Sequence, residues 1–200
     1  MQYLVIDTET GGLDPKINPV LQIAMRLYQE NGKVEMTFNK TIEWAGPSLP
    51  ISVGAVAVNS YKFTDGHNPR AVAIELVQFL AAVADRQKTY GIDVCLLGQN
   101  LQFDISFIDA FLSRQGFTDW VEPFRYRRID TSSIALFLKQ ANLLPYDFRF
   151  NLSAMYGHFF NSPIPDAHNA LSDVEATWKV YQALLELTRT KLAWDGRSGI

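Results

Sequence analysis

Asn31-Gly32 stands between two β-rich runs, VLQIAMRLYQ (20–29) and VEMTFNKTI (34–42). An Asn-Gly pair in that setting marks a hairpin, because these residues tolerate the positive φ that a tight turn requires. A third β-rich run, residues 3–7 (YLVID), precedes them, so the chain opens with an antiparallel meander. The stretch from Trp44 to Pro69 is rich in Gly, Pro and Ser and reads as irregular, with one short helix near Val53–Val58. Beyond it the pattern changes. AVAIELVQFLAAVADR (71–86) has helical spacing and good helix formers. DVCLLGQ (93–99) reads as a short buried strand, and FDISFIDAFLSRQG (103–116) as a helix closed by Gly116. RRIDT (127–131) and SSIALFLKQAN (132–142) follow as strand and helix, and a last long helix lies near 168–191, after Pro163 and Pro165. A meander followed by alternating helices and strands predicts an α/β domain with a mixed sheet.

The chain has 200 residues, 48% of them apolar, which suits one domain with its own core. The expected domain spans 1–200, with a flexible C-terminal tail from about 192. Cys95 is the sole cysteine, so no disulfide forms within the chain, and three His with one Cys are too few for a zinc site. Both facts suit a reducing compartment, and a cytoplasmic location is expected. No apolar run reaches the roughly 18–20 residues of a membrane span. The N-terminus lacks the pattern of a signal peptide. The formal charge of −3 provides no basic footprint for nucleic acid. Two divalent cations bound to four carboxylates would change that balance, and an enzyme that handles a strand end needs few phosphate contacts.

Asp7 and Glu9 end the first strand. Residues two apart in a strand share a face. Like charges so close resist ionising unless something positive offsets them, usually a hard divalent cation. Taken alone, the pair fits an exposed strand end equally well. Gly11 and Gly12 allow close approach of backbone to a ligand, or simply a loop tip. Asp104 follows the apolar strand at a helix start, where ligands gather in open α/β sheets, though by itself it fits helix capping better. Asn100 is a loop residue or a hydrogen-bonding contact. His168 and Asp173 are five residues apart, about 500° around a helix. They can serve one site only if His168 stands at the helix entrance and Asp173 one turn in, facing the sheet. Singly, each fits an ordinary surface or core role. Together, four carboxylates and a histidine in three segments are the equipment of two-metal phosphoryl transfer.

VIDTETGGLDP, GQNLQFD and HNALSD, in that order, resemble the three motifs of the DEDDh class of 3′–5′ exonucleases. This is the DnaQ-like family of the proofreading epsilon subunit of bacterial replicative polymerase. IDTSSIALFL resembles the segment between the second and third motifs. The resemblance implies an RNase H-like fold, with a five-stranded mixed sheet flanked by helices. It implies two divalent ions, Mg²⁺ or Mn²⁺, held by Asp7, Glu9, Asp104 and Asp173. Asp7, Glu9 and Asp173 would bind the ion nearer the attacking water, Asp7 would bridge to the second, and Asp104 would hold that one partly through waters. His168 would be the general base, a task for which an ordinary imidazole pKa of about 6.5 is suited. Leu13 would press on the terminal base, and the backbone after Glu9, through Thr10, would meet the terminal 3′-hydroxyl. Gly12 and Asn100 join the substrate side, as does Phe103, for which packing under the site is the favoured reading. The implied substrate is a single-stranded DNA or RNA 3′ end, and a polymerase or another replication or repair protein is the implied partner. The chain has Gly11 where the family often has Thr, and Gln99 where it often has His. Both departures bear on substrate preference rather than on metal ligands.

RYRR (125–128) interleaves an aromatic with cations and reads as the lead-in to a strand more readily than as a phosphate grip. Two other functions stay open at this point. One is a non-cleaving nucleic-acid-binding module on the same fold, which would not need the carboxylates. The other is a phosphodiesterase for short oligonucleotides. A Ser172-based hydrolase lacks its Gly-x-Ser-x-Gly elbow.

Overall fold

The computed structural model describes residues 1–44, 51–52, 55 and 66–195, with side chains as far as Lys191. The short helix expected near Val53–Val58 therefore lies outside the described residues. Three strands come first: β1 (Gln2–Thr10), β2 (Val20–Gln29) and β3 (Val34–Thr41). They form the expected meander, β1 pairing antiparallel with β2 and β2 with β3. The β2–β3 turn closes through Gly32 N–H to the Gln29 carbonyl at 2.9 Å, with Gly32 at φ 87°, a value that glycine adopts without strain.

Helix α1 (Pro69–Tyr90) then leads into β4 (Val94–Gly98), α2 (Leu101–Arg114), a 3₁₀ turn (Glu122–Phe124) and β5 (Arg128–Asp130). Helices α3 (Thr131–Gln140), α4 (Leu152–Phe160) and α5 (Ala170–Asp195) complete the described chain. β4 adds parallel to β1 and β5 parallel to β4, so the sheet has the order β3-β2-β1-β4-β5. The expected mixed five-stranded sheet is present. α1 starts two residues earlier than its apolar spacing suggests, because the Asn68 side chain accepts from the Arg70 and Ala71 N–H groups and Pro69 occupies the first turn. α4 was not anticipated. Its signals are a capping Asn151, which accepts from Ala154 N–H at 2.9 Å, and apolar Leu152, Met155, Tyr156 and Phe159 at helical spacing. α5 runs to Asp195, so the tail expected from about 192 overlaps its last turn. Among the described residues no helix is long and apolar enough to cross a membrane.

β1 lies mid-sheet, and its side chains alternate between two cores. Leu4 and Ile6 join α1 and α2 on one face, in a cluster that includes Leu76, Phe107 and Phe111. Tyr3 and Val5 face α5, packing with Val174, Trp178 and Tyr181. Trp178 fastens α5 to the sheet. Its ring stacks on Tyr28 at 4.6 Å between centroids and lies 5.4 Å from the ring of Tyr3. Trp178→Ala is expected to cost about 3–5 kcal/mol of stability, read as a lowered urea midpoint with unchanged slope. A loss below about 1 kcal/mol would show that α5 is held by something else.

Candidate active site

The alternation of β1 continues past its apolar core and decides where the carboxylates go. Asp7 and Glu9 share the parity of Tyr3 and Val5 and so face α5, whose first turn carries Asp173. Carboxylate oxygens of Asp7, Glu9 and Asp173 all lie within 4.8 Å of one another. Thr8 has the opposite parity and faces α2. There its main-chain N–H and its hydroxyl both donate to Asp104 Oδ1, at 2.9 and 2.7 Å. Pairing of β1 with β4 ends at Val5–Leu97, so Asp104 supplies an acceptor beyond the reach of β4. Asp104 is 3% exposed. It thus stands beside the three-carboxylate cluster rather than within it, arriving from the other face of the sheet.

Burial and mutual repulsion govern the protonation of these groups. Asp7 is held well above the usual carboxylate range, first by burial and then by the charges of Asp104, Asp173 and Glu9. Glu9 is pushed up to about 7 by burial and by Asp173. Burial also lifts Asp104 to about 7, against the two Thr8 hydrogen bonds that favour its charged form. Asp173 is raised by burial, with the neighbouring His168 pulling the other way. Asp173 Oδ1 is buried and has no hydrogen-bond partner. A buried carboxylate oxygen left unpaired is costly, and a cation is what it lacks. The donor set, all carboxylate oxygen, suits a hard divalent ion.

His168 is exposed, in the turn just before α5, with φ 66°. It stands at the helix entrance as the spacing requires, close enough for its charge and its main chain to act on Asp173. The entrance itself is located from the sheet, since Gln22 Oε1 on β2 accepts Ala170 N–H at 3.1 Å, and Gln22 is the cross-strand neighbour of Glu9. Sequence reasoning had not singled out Gln22, because its role depends on a contact 148 residues away.

The expected substrate-side residues lie at the end of β1 and in the loop after it, and at the start of α2. Thr10 is buried and its hydroxyl donates to the Gly12 carbonyl at 2.7 Å. A Cβ on Gly12 would fall 2.4 Å from Asn18 Oδ1, and one on Gly11 would fall 2.7 Å from Pro19 Cδ. A side chain at Gly11 would thus press on the Pro19 ring. Leu13 is 86% exposed. Asn100 is exposed with φ 55°, and its side chain does not cap α2; its main-chain N–H donates to Asp130 Oδ1 at 3.1 Å. A left-handed residue at a helix start whose side chain caps nothing leaves that side chain available to a ligand. Phe103 packs against Phe107, at 4.7 Å between ring centroids, and belongs to the core beneath the site. Gln99 donates to Ser132 Oγ at 2.5 Å and to the Phe150 carbonyl at 2.6 Å, and accepts from Thr131. It ties the second motif to α3.

No family model matches the chain. It is 23% identical over 187 residues to the PolC-type DNA polymerase III of Thermotoga maritima, spanning 94% of this chain and 12% of that protein. It is 30% identical over 189 residues to the PolC-type DNA polymerase III of Streptococcus pyogenes serotype M1, spanning 94% of this chain and 11% of that one. The chain is thus about a ninth to an eighth of the length of these relatives. Among solved structures it superposes on Escherichia coli exonuclease I in complex with a dT13 oligonucleotide, with a TM-score of 0.72 and 21% identity. That match covers 97% of this chain and 42% of the other. The exonuclease I–SSB-Ct complex matches with a TM-score of 0.71 at 19% identity, covering 96% of this chain and 43% of that one.

The raised carboxyl groups carry a pH signature. A carboxyl whose pKa is higher folded than unfolded contributes stability below its unfolded value and loses it as pH rises through its folded value. For Glu9 that window runs from 4.5 to about 7. In EDTA the stability is expected to fall across this window, by up to about 3 kcal/mol from Glu9 alone, read as a falling melting temperature. Glu9→Gln should flatten the fall, and Mn²⁺ should raise the melting temperature most at the upper end. A flat profile in EDTA would mean that the carboxylates carry no burial penalty.

Proposed function

We propose that this chain is a DEDDh-type, DnaQ-like 3′–5′ exonuclease that removes nucleotides one at a time from the 3′ end of a single-stranded DNA or RNA, a reading supported by its likeness to PolC-type DNA polymerase III and to exonuclease I. The observation that carries this reading is the cluster of Asp7, Glu9 and Asp173, with oxygens within 4.8 Å and a buried Asp173 oxygen lacking a partner. Such a cluster has no structural use, since its charges repel, and a binding module would not need it.

Asp7, Glu9 and Asp173 would hold one divalent ion, and Asp7 with Asp104 a second, as Mg²⁺ or Mn²⁺. When bound, such ions lower the pKa of a water and neutralise charge on a scissile phosphate. The protein's own groups do the rest. His168, on an exposed turn at the entrance of α5, takes the proton of the attacking water onto an imidazole nitrogen. Leu13 lies against the terminal base, and Gly12 lets the loop backbone approach the sugar. The Thr10 backbone meets the 3′-hydroxyl, and Asn100 offers its uncommitted amide to the strand. The phosphodiester P–O3′ bond breaks, the water oxygen becomes part of a 5′-monophosphate, and a shortened 3′ end remains. Homology to polymerases supports a polymerase or another replication or repair protein as partner.

The deciding experiment is digestion of a 5′-labelled single strand, as DNA and as RNA, with Mg²⁺, Mn²⁺ or EDTA. A ladder shortening from the 3′ end, dependent on metal and lost in Asp7→Ala, is expected. His168→Ala should lower kcat at least about 100-fold with little change in strand affinity. Binding without cleavage by folded wild-type protein would favour a non-cleaving module. Cleavage confined to dinucleotides would favour a phosphodiesterase of short fragments. Asp173→Asn should weaken Mn²⁺ binding by calorimetry, and unchanged affinity would remove Asp173 from the ligand set.

A further inference from the structure

Among the described residues, two exposed tyrosines stand beside a cation. Tyr126 is 80% exposed, with the Arg125 guanidinium 4.4 Å from its ring centre. Tyr146 is 95% exposed, with the Lys139 ammonium at 5.5 Å. That ammonium also lies 5.2 Å from the Phe150 ring and 3.3 Å from the Phe148 carbonyl oxygen.

Charge separates the two. Arg125 is paired with Glu122 at 2.7 Å and Arg127 with Asp93 at 3.0 Å, so the two arginines that flank Tyr126 are both engaged by carboxylates. Neither Lys139 nor Arg149 has a carboxylate partner among the described residues, and the exposed Asp147 in the same segment pairs with neither.

Position separates them too. Tyr126 precedes β5 and so lies at the amino ends of the parallel strands, whereas the candidate active site lies at their carboxyl ends. The Tyr146 segment returns to the carboxyl ends. Its Phe150 carbonyl accepts from Gln99, the residue that follows β4. The last β1–β4 pair is Val5–Leu97, and Asp7 and Gln99 each follow it by two residues at the same ends of neighbouring parallel strands. The cluster of Lys139, Tyr146 and Phe150 therefore borders the site on its β5 side.

We propose that Lys139, Tyr146 and Arg149 form a surface for the part of a single-stranded nucleic acid upstream of its terminal nucleotide. A base stacks on the ring face of Tyr146 turned away from Lys139, and phosphates meet the two cations. Lys139 serves twice: its stem and ammonium hold Tyr146 in place, and its charge faces the strand. Stacking on an open ring reads no sequence, so this surface would favour strand length and lack of pairing over base identity. The inference rests on the exonuclease reading and extends it from the strand end to the strand body.

The test uses the full chain in EDTA, with fluorescence anisotropy of labelled dodecathymidylate and, in parallel, dodecauridylate. Tyr146→Ala should weaken binding at least about fivefold, while Tyr146→Phe and Tyr126→Ala stay at the wild-type value. Arg149→Ala should lower the slope of log affinity against log salt by about 0.7. In Mn²⁺, Tyr146→Ala should raise KM for the dodecamer with kcat unchanged and leave KM for a dinucleotide as it was. Unchanged affinity in both Tyr146→Ala and Arg149→Ala would overturn the surface, as would an equal loss in Tyr126→Ala or a wild type that does not bind the dodecamer. Wild-type protein that binds the dodecamer through Tyr146 but cleaves nothing would overturn the exonuclease reading and leave the surface standing. A stronger loss with the uridylate than with the thymidylate would assign the surface to RNA.

Discussion

Like charges held together in a place where water is scarce are the constraint around which this molecule is arranged. Asp7, Glu9 and Asp173 bring carboxylate oxygens within 4.8 Å; burial makes all three harder to ionise, and for Asp7 and Glu9 the neighbouring carboxylates add to it. Nothing local holds them there. β1 cannot move, because Leu4, Val5 and Ile6 are wholly buried and strands pair with it on both sides. α5 cannot withdraw easily, because Trp178, five residues beyond Asp173, is stacked into the sheet. The apolar packing of two cores thus opposes an electrostatic repulsion at their edge. A local conflict sustained by surrounding structure is a mark of a functional site.

The two faces of the sheet divide the chemistry. On the α5 face, strand alternation delivers Asp7 and Glu9 to Asp173 and the His168 turn. On the α2 face, the same alternation delivers Thr8 to Asp104. Asp104 is therefore governed by hydrogen bonds that favour its charge as well as by the burial that opposes it. It is the one acidic residue of the four with a committed protein donor pair, and it is the one outside the tight cluster. Four carboxylates that look equivalent in the chain are three of one kind and one of another in space. The loop from Gly11 to Asn18 and the hub of Gln99 and Asp130 extend the site on either side. Gly11 leaves no room for a side chain beside Pro19, and Gln99 uses both ends of its amide to tie α2's entrance to α3.

Much of this was legible beforehand, for reasons that lie in short-range physics. The meander followed from Asn31-Gly32 and the runs around it, and α2's end from Gly116, because turns and helix stops are set by a few adjacent residues. Asp7 and Glu9 on one face followed from the two-residue period of a strand, and His168 at a helix entrance from the mismatch between five residues and 3.6 per turn. α4 was equally legible in Asn151 and the apolar spacing after it, but its segment carries no catalytic motif to draw the eye.

What the chain alone determined was the set of chemical groups and the local element each would ride on. Periodicity and capping act over a few residues, and they can be read from the letters. What the tertiary structure decided was which of those groups meet. Gln22 holds α5's entrance from 148 residues away, Thr8 claims Asp104 from 96, and Phe150 returns to Gln99 from 51. Such contacts depend on how two cores pack on the faces of one strand. No local pattern encodes that, because the energy that fixes it is spread over the whole buried surface.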